Sequence, residues 1–318
     1  MVLVFLFHFC LSSRDAGLFF RRNKRVKQGM DIFKTIKDMR EKTAFLRKQG
    51  KVIAFVPTMG YFHEGHLNLM RGGRKRADYL VVSIYVNPTQ FSPTEDLDKY
   101  PRDFTRDCLL AEQVGVDAVF FPDNAAMYPQ NYQTYIDVEN VTRNLCGASR
   151  PGHFRGVATI CAKLFHIVQP HVTIFGKKDF QQLAVIRTMI QDLNMDIELV
   201  GLATTREEDG LAMSSRNAYL NAGERKSALS LSRSLVLAKH LFESGETDSG
   251  AISRQVKQHI ESYPLTIIDY VQISSIDTIE ETKIVDRNTF IAMAVKVGAT
   301  RLIDNYVFGD ALDVPCPK

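Results

Sequence analysis

His63 and His66 are the first residues of this sequence whose types and spacing suggest chemistry. They lie in Pro57-Thr58-Met59-Gly60-Tyr61-Phe62-His63-Glu64-Gly65-His66. Two imidazoles on the first turn of a helix, beside free backbone N–H groups and the positive helix end, can hold a triphosphate. Gly60 and Gly65 would let a ligand approach the backbone closely. The plainer alternative is that both histidines only cap the helix. A zinc site is the weaker reading, because His-Glu-Gly-His is not HExxH and no third ligand stands at a sensible spacing. The chain has neither GxxxxGK[ST] nor GxGxxG, so phosphate recognition must use another device.

Further polar clusters follow. Met213-Ser214-Ser215-Arg216 offers hydroxyls and a guanidinium fork, a set suited to clasping phosphate; alone it reads equally as a helix cap with a surface arginine. Gly176-Lys177-Lys178-Asp179 brings an ammonium, and Asn87-Pro88-Thr89-Gln90 brings neutral amides. Arg150-Pro-Gly-His153-Phe-Arg-Gly156 reads as a polar loop before a helix.

These clusters need elements to hold them. Apolar spacing predicts a helix over 31–49, ended by Gly50. Short apolar runs at 52–56, 80–86, 118–121, 172–175 and 197–200 have the look of buried parallel strands. Helical stretches fall between them: from near His66, over about 103–114, over 157–168 and over 180–193. Alternating β and α segments imply an α/β fold with a doubly wound, Rossmann-like parallel sheet. In such sheets ligands sit beyond the carboxyl ends of the strands, where these clusters fall, with Thr205-Arg206 after the last strand. After residue 204 the pattern changes. A long helix follows Asn221-Ala-Gly-Glu224, which has the form of a capping box, a second helix spans about 249–262, and three β-rich runs follow at 267–273, 290–297 and 302–308. The expected domains are therefore 30–204 and a second, smaller α+β unit, 205–318.

Composition excludes several classes. The 318 residues are 45% hydrophobic and 24% charged, ordinary globular usage that rules out a disordered tail or a coiled coil. Residues 1–29 carry six Lys or Arg against one Asp, so the remaining chain has a net charge of −1 although the whole is +4. A near-neutral body gives no electrostatic reason for a nucleic-acid partner. Five scattered cysteines without a CxxC pair suggest reduced, cytosolic thiols. The apolar start is too short to span a bilayer, and its positive charge follows the apolar run instead of preceding it, unlike a signal peptide. Residues 1–29 therefore read as an extension outside the fold, with Met30 as a start.

Taken together, PTMGYFHEGH, VNPTQF, YPRD, RPGHFRGVAT, GKKDFQQL and DGLAMSSRN, in this order over residues 57–217, resemble the pantoate–β-alanine ligase family, a branch of the HxGH nucleotidyltransferases. A lone HxGH would carry little; six ordered motifs carry much more. The resemblance implies that pantoate carboxylate attacks the α-phosphorus of ATP to give pantoyl adenylate and pyrophosphate. The amine of β-alanine then gives pantothenate and AMP. It further implies Mg²⁺ arriving with ATP, a homodimer and a cytoplasmic enzyme, with no resident protein metal site.

The same resemblance assigns roles. His63 and His66 would line the phosphates, with His66 as proton donor, and Met59, Gly60, Tyr61, Phe62, His63, Glu64, Gly65 and His66 would form the first nucleotide-binding loop. Lys178 would stabilise charge on phosphorus, Asp179 would hold the ribose, and Gly176 would let adenosine lie against backbone. Thr205 would stand near the adenine. Met213, Ser214, Ser215 and Arg216 would close over the phosphates. Gln90 and Gln182 would grip pantoate with Asn87 nearby, while Arg150 and His153 would help place the amino-acid carboxylate. Two positions depart from the family: Lys177 stands where Glu is common and Thr205 where Val is usual. Rival readings are a nucleotidyltransferase that stops after moving AMP or CMP onto a phosphorylated substrate, an RNA-binding relative of tRNA synthetases, and an inactive scaffold. The neutral amides of Gln90 and Gln182 suit a hydroxy acid better than a phosphate.

Overall fold

The computed structural model describes residues 29–93, 95–312 and 314. The expected extension therefore lies, up to residue 28, outside the described residues. Among the described residues, nine strands and nine α-helices run in this order: β1 (Asp31–Phe33), α1 (Ile36–Lys48), β2 (Ile53–Thr58), α2 (Glu64–Arg74), β3 (Tyr79–Ile84), α3 (Phe104–Gln113), β4 (Ala118–Phe120), α4 (Asn124–Met127), α5 (Cys146–Ser149), α6 (His153–Val168), β5 (Val172–Gly176), α7 (Phe180–Asp192), β6 (Glu198–Leu202), α8 (Ala222–Glu243), α9 (Ser249–Glu261), β7 (Thr266–Ser275), β8 (Thr289–Val297) and β9 (Thr300–Val307).

The first six strands form one parallel sheet in the order β1-β4-β3-β2-β5-β6. Apolar side chains of α1, α6 and α7 cover one face, and those of α2 and α3 cover the other. Cover on both faces explains why β2, β3 and β5 are mainly apolar and buried along most of their length instead of alternating. From β2 the chain winds outward through β3 and β4, then returns to lay β5 against the other side of β2 and continue to β6. The winding reverses between β2 and β5, and a crevice opens at that switch point beyond the strand ends. The segments that leave β2 and β5 are the His63/His66 loop and the Lys178 turn.

Three helix starts differ from the sequence reading, and β2 runs on to Thr58, past the turn expected at Pro57. Residues 31–33 are an edge strand, not the start of a helix. They pair with β4, and Thr35 accepts a hydrogen bond from the Asp38 N–H (3.1 Å) to begin α1. Helix α2 begins at Glu64, before His66. Helix α6 begins at His153, so His153 belongs to a helix and not to the loop before it.

The C-terminal part is a smaller α+β layer. Strands β7-β8-β9 form an antiparallel meander, with α8 and α9 packed on one face. The capping box forms as its letters suggest: Asn221 Oδ1 accepts from the Gly223 and Glu224 N–H groups, and Glu224 accepts from Asn221 N–H (2.9 Å). Against the parallel layer, the ring of Phe290 packs 4.4 Å from that of Phe180 on α7.

Candidate functional site

The loop after β2 is fixed before it reaches any ligand. Tyr61 adopts a positive φ of 52°, and its N–H donates to Asp107 Oδ2 (2.6 Å) while the Phe62 N–H donates to Oδ1 (2.7 Å). Asp107 projects from α3 and is almost fully buried. Burial raises its pKa despite these two bonds. One carboxylate thus replaces the missing secondary structure of the turn and aims α2 into the crevice. Phe62 is itself core, packed under the sheet. Glu64 turns outward to pair with Arg71.

The imidazoles of His63 and His66 lie 4.1 Å apart, ring centre to ring centre. His66 Nδ1 accepts from the His63 backbone N–H (3.4 Å), which leaves Nε2 to carry the proton of the neutral ring. Burial first, then the charge of Lys178, lowers His63 to about 4. Burial, His63 and Lys178 hold His66 well below its ordinary value. Both rings are therefore neutral donors or acceptors at pH 7, and both feel the Lys178 ammonium. His63 Nδ1 is buried without a hydrogen-bond partner among the described residues. Gly65 is demanded by this arrangement, since a Cβ there would stand 2.9 Å from the His63 ring.

The turn after β3 supplies the amides. Asn87 is buried and donates to Gln90 Oε1 (3.0 Å) and to the Gly156 carbonyl (3.1 Å). Its Oδ1 accepts from Thr89 and Tyr128. Gly156 must lack a side chain, because its Cβ would collide with the Thr89 carbonyl. Asn87 is thus a brace holding Gln90, whose Nε2 reaches Met59 Sδ (3.3 Å). At the start of α6, His153 Nδ1 sits 2.8 Å from the Gln90 carbonyl and so carries the proton, leaving Nε2 to accept from Arg150 (3.0 Å). Burial first, then the Arg150 charge, lowers His153 to about 4. Arg150 also grips Glu95 through two nitrogens.

After β5, residues Lys177–Asp179 make a 3₁₀ turn leading into α7. The Lys177 ammonium points away from the crevice to Asp310 (2.9 Å), so the exchange of Glu for Lys at this position changes a contact with the C-terminal tail. The double glutamine divides its work. Gln181 is buried and satisfies backbone groups of Val141, Asn144 and Cys146, while Gln182 faces the cavities. Thr205 uses its hydroxyl to accept from Asn68 (3.1 Å), a bond valine could not make. Its carbonyl accepts from the Met213 N–H (3.0 Å), which sets the strand-like return leading to Ser214. Ser214 caps the Ser215–Tyr219 3₁₀ turn, and Ser215 is buried against the Tyr61 carbonyl. Arg216 makes a two-point ion pair with Asp96 (2.8 and 3.0 Å).

Two adjoining cavities result. The smaller, about 200 Å³, is lined by Met59, His66, Asn87, Gln90, Arg150, His153, Asp179, Gln182 and Arg216 against an apolar wall that includes Val157, Ile160 and Leu164. The larger, about 890 Å³, shares Arg150, His153, Asp179, Gln182 and Arg216 and adds Lys178 and Ser214. Tyr61, Phe62, Glu64, Gly65, Gly176, Lys177, Thr205 and Met213 line neither cavity, nor does His63, which sits behind His66. The sequence reading missed Asp107, Glu95 and Asp96. Nothing in their letters marks them: each is one carboxylate among many, and its role depends on a partner 46 to 120 residues away.

A family model for Pantoate-beta-alanine ligase matches residues 31–307. This chain belongs to the pantoate–beta-alanine ligase family. It is 62% identical over 285 residues to the pantothenate synthetase of Syntrophus aciditrophicus, covering 90% of this chain and all of that one. It is 55% identical over 281 residues to that of Geobacter sulfurreducens, covering 88% and 99%. Among solved structures, pantothenate synthetase from Thermus thermophilus superposes with a TM-score of 0.83 at 39% identity, over 87% of this chain and 99% of the other. The pantoate–beta-alanine ligase of Francisella tularensis, complexed with beta-gamma ATP and beta-alanine, gives 0.74 at 29% identity, over 88% and 98%. Family members of this likeness share both layers of the fold, the parallel sheet and the small antiparallel one.

Proposed function

We infer that this chain joins pantoate to β-alanine at the expense of ATP, through pantoyl adenylate, releasing pyrophosphate and AMP. The observation that carries this reading is the convergence of His66, Gln90, Gln182 and Arg216 on one small cavity, with Lys178 on the cavity that adjoins it. A carboxylate is a poor electrophile, and the mixed anhydride with AMP supplies the leaving group that amide formation needs. Bringing an anionic acid to a polyphosphate is opposed by charge, so positioned cations and donors are what the protein must provide.

In this reading pantoate occupies the smaller cavity. Gln90 and Gln182 hold its hydroxyl and carboxylate oxygens, and Val157, Ile160 and Leu164 face its branched apolar carbon. A carboxylate oxygen attacks the α-phosphorus, and the bond to pyrophosphate breaks. Neutral His66 donates a hydrogen bond through Nε2–H, Lys178 neutralises charge growing on phosphorus, and Arg216 with Ser214 meets the phosphates. Asp179 holds the ribose, and the backbone at Gly176, Thr205 and Met213 meets the adenosine. The β-alanine amine then attacks the acyl carbon, loses a proton, and AMP leaves, with Arg150 and His153 helping to hold the amino-acid carboxylate. Mg²⁺ enters as part of the Mg·ATP substrate, keeping water and phosphate ligands. Residues 30–204 form the unit that binds nucleotide and pantoate, 205–318 cover it, two chains pair as a homodimer, and the enzyme works in the cytoplasm.

The deciding experiment measures AMP release with pantoate and β-alanine omitted in turn. Pantoate alone should support ATP–pyrophosphate exchange, which His66→Ala should impair, and AMP release should need both acids. Lys178→Ala should slow turnover about 10²–10³-fold, the scale for losing one electrostatic donor. AMP release at full rate without β-alanine would favour a nucleotidyltransferase that stops after one step. Sedimentation of the purified chain at micromolar concentration tests the dimer.

A further inference from the structure

Besides the Phe290–Phe180 contact, two consecutive residues of β9 tie the C-terminal sheet to segments that follow the parallel strands. Neighbouring residues of a strand point to opposite faces, and Asp304 and Asn305 use this to hold two different segments. Asp304 accepts from both terminal nitrogens of Arg206 (2.7 and 3.0 Å), and the two side chains are 1% and 6% exposed, so this ion pair is sealed from water. Arg206 opens the return that pairs with Ala212 and delivers Ser214 and Arg216. Asn305, also buried, donates from Nδ2 to the carbonyls of Lys177 (3.0 Å) and Lys178 (2.6 Å). The Lys178 side chain makes no ion pair among the described residues, so its backbone is where it is anchored. That backbone is held from below by β5 and from above by one amide, 127 residues further along the chain.

We propose that Asn305 is a positioning residue for Lys178: its side-chain amide fixes the 3₁₀ turn that aims the ammonium at the reacting phosphates. This rests on the reading of Lys178 given above. Asn305 lines the larger cavity, but both of its amide N–H groups are spent on the Lys177 and Lys178 carbonyls, so its effect should pass through Lys178, and the C-terminal sheet is then a fixed jig for the phosphate side of the site. A displacement of about 1 Å in a reacting group can cost up to about a hundredfold in rate. Loss of two hydrogen bonds at a turn already anchored by β5 should cost less.

The test is a double-mutant cycle on the full chain, read by pantoate-dependent ATP–pyrophosphate exchange. Asn305→Ala should lower the exchange rate about tenfold with the KM values for ATP and pantoate within about twofold. Asn305→Asp, which keeps the shape but sets acceptors against two carbonyls, serves where the alanine variant does not fold and should be at least as slow. In the Lys178→Ala background either change should cost no more than about twofold further, because there is no ammonium left to aim. Losses that multiply in the double variant, or a rise in KM with turnover unchanged, would overturn the positioning role alone. A Lys178→Ala enzyme at full turnover would overturn the reading of Lys178 itself.

Discussion

Arg216, which lines both cavities, meets Asp96, which lines the larger, in a two-point ion pair, with Nε and one terminal nitrogen each bonded to a carboxylate oxygen. Burial alone would raise the Asp96 pKa, yet the hydrogen bonds and charge of Arg216 bring it below the ordinary value. The adjacent Glu95 holds Arg150 in the same way. Two of the cations assigned to substrate anions are thus paired with neighbouring acids of one loop. Phosphate must compete with Asp96 for the guanidinium. A partly exposed pair of this kind contributes up to about 1 kcal/mol, so Asp96→Asn should tighten ATP binding about two- to fivefold, measured by calorimetry with non-hydrolysable ATP. Unchanged or weaker affinity would mean that Arg216 is used where it stands.

Stability should depend on pH through the three site histidines. Their folded pKa values lie below the ordinary 6.5: His63 and His153 near 4, and His66 well below 6.5, burial being the main cause in each. Between about pH 6.5 and 4 the unfolded chain therefore binds more protons than the folded one, and stability falls as pH drops through that window. The slope approaches about 1.4 kcal/mol per pH unit for each histidine that stays neutral. Glu95 and Asp96 have lowered folded values, so their contribution is intact above the ordinary carboxylate range and is lost only at lower pH. Thermal midpoints should thus decline already from pH 6.5 to 5, and His153→Gln should flatten part of the decline. A level midpoint over that range would contradict the neutral assignment.

Lys177→Glu should change turnover by less than about threefold. The side chain lies outside both cavities and its ammonium meets Asp310, with 39% and 49% of the two side chains exposed. The same change sets two acids against each other at the surface, which costs at most about 1 kcal/mol. A small drop in thermal midpoint, relieved by Asp310→Asn, is the expected result. A tenfold change in KM for ATP would show instead that charge at residue 177 reaches the nucleotide.

The order of residue types along the chain dictates the parallel sheet, its helices and the loops that carry the site. Runs such as Ile53–Val56 and Leu80–Ile84 have no polar face, so they must be covered on both sides. Breakers such as Met59-Gly60 and Asn87-Pro88 mark where the chain leaves the sheet, although Pro57 and Thr58 are still strand. Local boundaries are less legible. Ile32 and Phe33 fit a helical spacing but pair with β4, and apolar spacing puts the start of α6 four residues late because His153 and Arg155 look like loop. Which partner each charged group meets is settled by packing and by nothing local. Asp107 and the turn at Tyr61, Asp96 and Arg216, and Asn305 and the Lys178 carbonyl are separated by 46, 120 and 127 residues. Their pairing follows from the winding order of the sheets. Spacing along a chain encodes a helix or a strand, because those repeat every few residues, but it holds no record of which two distant loops the packing of layers brings into hydrogen-bonding reach.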